Sequence, residues 1–508
     1  MKKFSLLFTL LISFNASSQD IETIKINIDT TIEYQTIHNF GASDAWSTQF
    51  VGNWTVIKKN QIADLLFSLE VDINGTPYGI GLSSWRFNIG AGSAEQEEKS
   101  DIKDEWRRSE CFLNSDNSYN WDKHIGQQWF LNAAKERGTR DFVGFVNSPP
   151  ILFTKNGKAY SNDGLTSNLK EESYLDYAVF LKDVTNYFSN KYQIDFKYIS
   201  PFNEPQWEWK NNNQEGSPWN NSELKNATRI IDSIFIANNL QTKIEITEAG
   251  AADYLTGEKE KFKNRSNQIE EFFNPNSNNF IGNLKSVAPK IVGHSYFTTW
   301  NVQKLKNERE KIAKKLQKYP NLEYWMTEYC VLENNEEIKG KGKGLGMKTA
   351  LYVARVIHSD LTIANASSWY WWLAMSPYNY KDGLIYIDKN KEDGSFQESK
   401  LLWSLGNYSR FIRPKAKRIK VDYNGYNSID NLSNGVLISA FENSDDSLVI
   451  VLVNQKNDEI FIDLESVKYD SIKLYITNKI NNLELQKINL NKKIIKLTAN
   501  SVNTIVFE

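Results

Sequence analysis

The feature that most constrains this chain is a rhythm running from residue 36 to about residue 410. A short apolar run ends in polar or aromatic residues, and a stretch with helical spacing of apolar positions follows. Eight such runs are legible: Thr36–Ser43, Ser84–Gly90, Asp141–Ser148, Phe196–Asn203, Lys243–Ala249, Ile291–Phe297, Glu323–Tyr329 and Ser367–Leu373. Helical spacing shows over Lys58–Leu69, Ile125–Arg137, Tyr174–Asn190, Asn226–Asn239, Val302–Gln317 and Met347–Ala364. Strands alternating with helices make a parallel sheet covered on both faces. Eight units predict an α/β fold, a (β/α)8 TIM barrel. A doubly wound sheet is the rival, yet no Gly-rich nucleotide turn follows the first run.

After Pro414 the texture changes. Val436–Ala440, Leu448–Asn454, Glu459–Leu464, Ile472–Ile476 and Ile494–Leu497 are short, and Asn, Asp and Ser turns separate them. They predict a C-terminal antiparallel β-sandwich side domain, with Ser501–Glu508 as its last strand. Glu22–Tyr34 alternates in the same way, so an N-terminal strand can join that sandwich. The expected organisation is a signal peptide at 1–18, N-terminal strand residues at 19–35, a catalytic barrel at 36–410 and the side domain at 411–508. The leader reading rests on Lys2 and Lys3, the apolar run Phe4–Phe14, and small residues Ala16, Ser17 and Ser18. That run is too short to span a bilayer. A secreted or periplasmic protein starting near Gln19 is expected, with no membrane insertion. Cys111 and Cys330 are the only cysteines; an oxidising compartment allows one bridge between them or two buried thiols.

Composition then removes several functions. Sixty basic residues against 62 acidic ones leave a net charge of -2, with no basic excess for nucleic acid. His38, His124, His294 and His358 are scattered, so neither a metal centre nor a cofactor is expected. Gly340–Gly346 lacks the Gly-Lys-Ser/Thr ending of a phosphate loop and reads as a loop entering a helix. Asp388–Gly394 is out of register for a calcium loop and reads as a hairpin turn. No GxSxG nucleophile turn occurs.

An acidic constellation remains. Glu204, in Asn203-Glu204-Pro205, ends the fourth run, and Glu328, in Met326-Thr327-Glu328-Tyr329, ends the seventh. Strand C-termini of such a barrel converge on one mouth. Two glutamates there can divide glycoside cleavage: one protonates the leaving oxygen while the other attacks the anomeric carbon. A lone glutamate is ordinarily a solvated surface residue, but both of these end apolar strands beside aromatics.

At these residues the chain resembles glycoside hydrolase family 30. The carriers are Phe40-Gly41-Ala42-Ser43, Trp85-Arg86-Phe87-Asn88, Ser148-Pro149-Pro150, Asn203-Glu204-Pro205-Gln206, His294-Ser295-Tyr296 and Thr327-Glu328-Tyr329. Arg410-Phe411-Ile412-Arg413-Pro414 and Ala499-Asn500-Ser501-Val502 extend the likeness over nearly the whole mature chain. The resemblance implies that Glu204 is the acid/base and Glu328 the nucleophile, with a side β-sandwich welded to the barrel.

Chemistry suggests roles for the neighbours. Asn203 can hydrogen-bond a sugar 2-hydroxyl, Arg86 can hold the nucleophile ionised, and Tyr296 can donate to it. His294 either lines the same wall or is a satisfied core histidine. The expected sugar-binding set is completed by Asp44, Trp46, Asn147, Trp207, Trp300 and Trp372, and Trp209 is a further platform candidate. Any of these tryptophans can equally be core.

Gly41-Ala42-Ser43-Asp44-Ala45-Trp46, Glu110-Cys111-Phe112-Leu113 and Thr154-Lys155-Asn156-Gly157 look closest to the endo-β-1,6-galactanase-like branch. The expected function is therefore a secreted, retaining, monomeric O-glycoside hydrolase acting on a β-linked glycan. The alternatives are a β-1,6-glucanase, xylanase, β-glucosidase, glucosylceramidase or β-fucosidase of the same family, and a non-catalytic carbohydrate-binding protein.

Overall fold

The computed structural model describes residues 22–464, 471–487 and 494–507; the leader expected at 1–18 lies outside them. The chain opens with strands β1 (Thr23–Lys25) and β2 (Asn27–Thr36), which belong to the side domain. The barrel follows: β3 (Asn39–Ser43), β4 (Ser84–Asn88), β5 (Asp141–Phe145), β6 (Phe196–Ser200), β7 (Lys243–Ala249), β8 (Val287–His294), β9 (Glu323–Glu328) and β10 (Ala366–Ser376). These eight pair in sequence order and all in parallel, and β10 closes on both β3 and β9. Each of the eight runs coincides with one of these strands.

The sixth differs most. It starts at Val287, four residues before the expected Ile291, and ends at His294. Pro289 hides its beginning, because proline cannot donate to a ladder; Tyr296 and Phe297 fall in the loop beyond.

Two helical features escape periodicity. Lys400–Ser409 is a helix whose residues from Leu401 onward are all buried, so it has no polar face for a pattern to reveal. Between β7 and β8 lie only short helices, Asp253–Thr256 and Gln268–Phe273. The Gly340–Gly346 loop does lead into a helix, Met347–Thr362. Asp388–Gly394 does turn a hairpin, between β11 (Gly383–Ile387) and β12 (Phe396–Glu398).

The side domain holds β13 (Lys417–Asp422), β14 (Val436–Glu442), β15 (Leu448–Asn454), β16 (Ile460–Asp463), β17 (Ile472–Thr477), β18 (Glu484–Gln486), β19 (Ile494–Leu497) and β20 (Ser501–Phe507). Seven strands form one sheet in the order β18-β17-β20-β15-β14-β13-β2; three form the other, β1-β16-β19. All pairings are antiparallel except β1 with β16, which is parallel.

Strand β15, Leu-Val-Ile-Val-Leu-Val-Asn, is buried on both faces. Val449, Val451 and Val453 join the barrel's core, whereas Leu448, Ile450 and Leu452 face the smaller sheet. The larger sheet thus lies between barrel and small sheet, which welds the side domain to the barrel through continuous apolar packing.

Both cysteines are free, buried thiols, so no bridge joins Cys111 to Cys330. Among the described residues no helix is long and apolar enough to cross a membrane.

Candidate active site

The barrel mouth at the strand C-termini opens into a cleft of about 700 Å³. Glu204 and Glu328 both line it, as do Asn203, Tyr296, Trp46, Trp207, Trp209 and Trp372. Glu204 lies four residues past the end of β6, with a left-handed backbone at φ 44°. Non-glycine residues adopt that region rarely, at turns and helix ends and at strained functional sites. Its backbone N–H donates to the carbonyl of Glu248 at 2.8 Å, which holds the turn. Glu328 is the last residue of β9 and needs no such turn, since its side chain already points into the mouth.

The two carboxyls face each other across His294. One oxygen from each and one His294 ring nitrogen all lie within 4.8 Å of one another. Arg86 Nη1 donates to Glu328 Oε2 at 2.6 Å, and Tyr296 OH donates to Glu328 Oε1 at 3.0 Å. His294 Nδ1 lies 3.2 Å from Glu204 Oε1 and 3.7 Å from Glu328 Oε1. Arg86 also reaches Asn203 Oδ1 at 3.3 Å, which directs that amide into the cleft wall.

Beneath this pair sits Glu248, a residue of β7 that the sequence does not single out. Its carboxylate is fully buried and accepts from Arg86 Nη2 at 3.1 Å and Ser200 Oγ at 2.7 Å on one oxygen. The other oxygen meets His294 Nε2 at 3.0 Å and the Thr327 hydroxyl. In Lys243–Ala249 this glutamate looks like any polar residue of a strand, and only its position between two cations distinguishes it.

Electrostatics follow from this packing. Burial opposes charge on His294, yet the Glu328 charge and the bonds to Glu204 and Glu248 outweigh it and lift the imidazole to about 10. Burial likewise opposes charge on Glu248, but Arg86 and His294 hold its carboxyl well below the usual range. Burial pushes the Glu328 carboxyl up; His294 and Arg86 pull the other way, while Glu204 and Glu248 add like-charge repulsion. Glu204, His294 and Glu328 are spaced closely enough for a metal ion. His294 Nδ1 already faces Glu204, however, and Glu328 is engaged by Arg86 and Tyr296.

The expected sugar contacts divide. Four of the five tryptophans named as platforms line the cleft, with Trp46 and Trp372 edge to face at 5.3 Å. Trp300 does not: it is exposed, outside the cleft lining and just before the helix Val302–Leu316. Asp44 is buried below the wall, accepting from the Asn88 backbone N–H at 2.7 Å and from Gln127 at 3.2 Å, and burial raises its carboxyl to about 7. Asn147 is buried too, its amide 3.5 Å from Asn88 Oδ1. Both act as props for β4 rather than as cleft surface. His294 is fully buried rather than a wall residue, although it touches both glutamates. Tyr378, Tyr380 and Arg107 also line the cleft without having been foreseen; they lie in loops and in the one-turn 3-10 helix Glu105–Arg107, too short for a periodicity to mark them. Arg107 stacks over Trp46 at 5.1 Å and over Tyr378 at 4.8 Å.

Comparison with known proteins agrees with this geometry. The model of O-glycosyl hydrolase family 30 matches residues 23–386, and that of the family 30 beta-sandwich domain matches residues 415–505. An endo-β-1,6-galactanase of Hypocrea rufa is 23% identical over 375 residues, which are 71% of this chain and 75% of its own. The crystal structure of a conserved exported protein from Bacteroides fragilis is 34% identical, with a TM-score of 0.89 over 96% of this chain and 100% of that one. The catalytic domain of a family 30 xylanase C from Talaromyces cellulolyticus superposes with a TM-score of 0.68 at 21% identity, over 96% of this chain and 100% of its own. Two family models that together span barrel and sandwich leave one conclusion: this chain belongs to glycoside hydrolase family 30.

Proposed function

We propose that the chain is an exported, retaining endo-β-1,6-galactanase in which Glu204 is the acid/base and Glu328 the nucleophile. The observation that carries this reading is the approach of the two carboxyls to within 4.8 Å. Retaining enzymes keep their carboxyl groups about 5–5.5 Å apart, whereas inverting enzymes leave ~6.5–9.5 Å for a water. The division of roles follows from the partners. Glu328 receives donors from Arg86 and Tyr296, which orient its carboxyl toward the anomeric carbon. Glu204 has neither of these donors, and His294 is its side-chain partner, which leaves it the acid/base role.

In the first step Glu204 gives its proton to the glycosidic oxygen as the bond to the anomeric carbon breaks. A Glu328 oxygen attacks the same carbon and forms a glycosyl ester. In the second, Glu204 takes a proton from water, whose oxygen displaces Glu328 and restores the original anomeric configuration. The tryptophans of the cleft offer flat faces to successive sugar rings. The galactan assignment is supported by the Hypocrea rufa relative and by the motifs around Asp44, Cys111 and Asn156. Export is supported by the order of charged, apolar and small residues in 1–18.

The test has two arms. Glu204→Ala should lose most activity on sugar leaving groups, retain more on activated aryl glycosides, and be partly rescued by azide. Glu328→Ala should be inert on every substrate. If azide rescued only Glu328→Ala, the roles would be reversed. Proton NMR of the first product on β-1,6-galactan should show the retained anomer. Faster turnover of β-1,6-glucan or xylan than of β-1,6-galactan would overturn the substrate assignment while leaving the mechanism in place.

A further inference from the structure

Glu248 lies outside the cleft, yet it is bonded to both Arg86 and His294, which hold the two glutamates in it. From β7 it reaches Arg86 on β4, Ser200 on β6, His294 on β8 and Thr327 on β9, and its own carbonyl fixes the Glu204 backbone. Like Glu204, it has a left-handed backbone, with φ 54°. We propose that Glu248 is the positioning residue of this active site, keeping His294 a permanent imidazolium whose charge serves Glu328 in one step and Glu204 in the next. The proposal rests on the roles given to those two residues above.

The hydrogen bonds require the imidazolium once Glu204 has given its proton to the leaving oxygen. His294 Nε2 faces a Glu248 oxygen at 3.0 Å and Nδ1 faces a Glu204 oxygen at 3.2 Å. An ionised carboxylate only accepts. In the glycosyl-enzyme, with Glu204 ionised, a neutral imidazole would turn one lone pair against an acceptor; no proton enters the cluster in the first step, so the imidazolium is already there before it. The elevated basicity of His294, to about 10, agrees.

Charge counting shows what the arrangement accomplishes. The groups in contact are Arg86 and His294, both cationic, with Glu204, Glu248 and Glu328. Below them the Glu245–Lys290 pair, 2.7 Å apart, cancels itself; Tyr296 contributes a neutral hydroxyl. Before reaction Glu204 carries a proton, so two cations face Glu248 and Glu328 and the sum is zero. After the first step Glu328 is an uncharged ester and Glu204, its proton now on the departed alcohol, is an anion. Two cations then face Glu248 and Glu204, and the sum is again zero. His294 does not move a proton; it already lies between the oxygen that loses charge and the one that gains it. Without Glu248 the buried cluster would carry an uncompensated cation in both states, which a low-dielectric site resists.

Two measurements on the full-length protein test this. Nitrogen-15 NMR of histidine-labelled wild type should show His294 protonated on both nitrogens at pH 7 and remaining so up to at least pH 8. In Glu248→Gln, His294 loses the anion bonded to its Nε2 and is expected to turn neutral even though Glu328 stays 3.7 Å from Nδ1. The cation beside both cleft carboxyls is then gone, so each is harder to ionise and both limbs of the kcat/KM–pH profile move to higher pH. At neutral pH kcat should fall on the order of tenfold to hundredfold with KM little changed, the range expected for losing a hydrogen bond to a charged group.

A singly protonated His294 in wild type at pH 7 overturns the proposal, even if Glu248→Gln does not fold. A doubly protonated His294 with unshifted limbs in Glu248→Gln overturns the role given to Glu248. Azide rescue of Glu204→Ala is independent of both outcomes and tests only the acid/base assignment.

Discussion

The junction motif Arg410-Phe411-Ile412-Arg413-Pro414 allows a stability prediction whose size follows from the bonds that Arg410 makes. Its guanidinium donates to the carbonyls of Ser68 at 2.9 Å, Gly79 at 3.0 Å and Glu70 at 3.2 Å, and to that of Leu69. Nearby, Arg413 donates to Gly81 at 2.8 Å. The two arginines therefore clamp the segment between the helix Val56–Phe67 and β4 onto the end of the helix Lys400–Ser409. In Arg410→Met the stem is kept and the donors are lost.

Leu69 and Glu70 are exposed, and water can replace the arginine there. Ser68 and Gly79 are buried, and each of their carbonyls is left without its charged donor at a cost of ~1–3 kcal/mol. Relief of the arginine's own burial, which lowers its basicity to about 10, offsets part of this. The net destabilisation should be about 2–4 kcal/mol. Arg410→Lys, with one point charge in place of a planar fork, should recover less than half. Urea unfolding followed by tryptophan fluorescence gives the free energies, and kcat/KM at 25 °C should stay within about twofold because Arg410 does not reach the cleft. A loss below about 0.5 kcal/mol for Arg410→Met, or full recovery by Arg410→Lys, would refute the clamp.

Two further outcomes are expected. Tyr296→Phe removes one donor from the ionised form of Glu328, so the acid limb of the pH–rate profile should move to higher pH while the plateau changes much less; a uniform loss at every pH would mean that the hydroxyl acts otherwise. Exported protein should show an intact mass beginning near Gln19; a mass that includes Met1 would exclude the cleaved leader.

Much of the fold is legible in the residues because the barrel's signals are local. Each buried parallel strand must be apolar along its length and each covering helix must have an apolar stripe, so the eight units appear without any knowledge of contacts. Where a local signal is masked, the reading shifts. Pro289 conceals the start of β8, and the helix Lys400–Ser409, buried all round, has no period to detect. The two cleft carboxyls are legible for a related reason. In a closed barrel the C-terminal end of an apolar strand delivers its glutamate to the mouth, and Glu204 and Glu328 both follow such strands.

The environment of those carboxyls is a different matter, since it depends on distances between strands far apart in the chain. Asp44 and Asn147 stand at strand ends just as Asn203 does, yet they turn beneath the wall to support β4. Trp300 is as aromatic as Trp372 but is exposed outside the cleft lining, because the loop after β8 carries it outward. Glu248 has no sequence mark that separates it from Glu245 three residues earlier. One meets Arg86 and His294 and is held strongly acidic; the other pairs with Lys290 deeper in the barrel. Periodicity records which face of a strand a residue occupies. What a buried carboxylate becomes is set by the charges within about 4 Å of it, and closing the barrel is what brings them there.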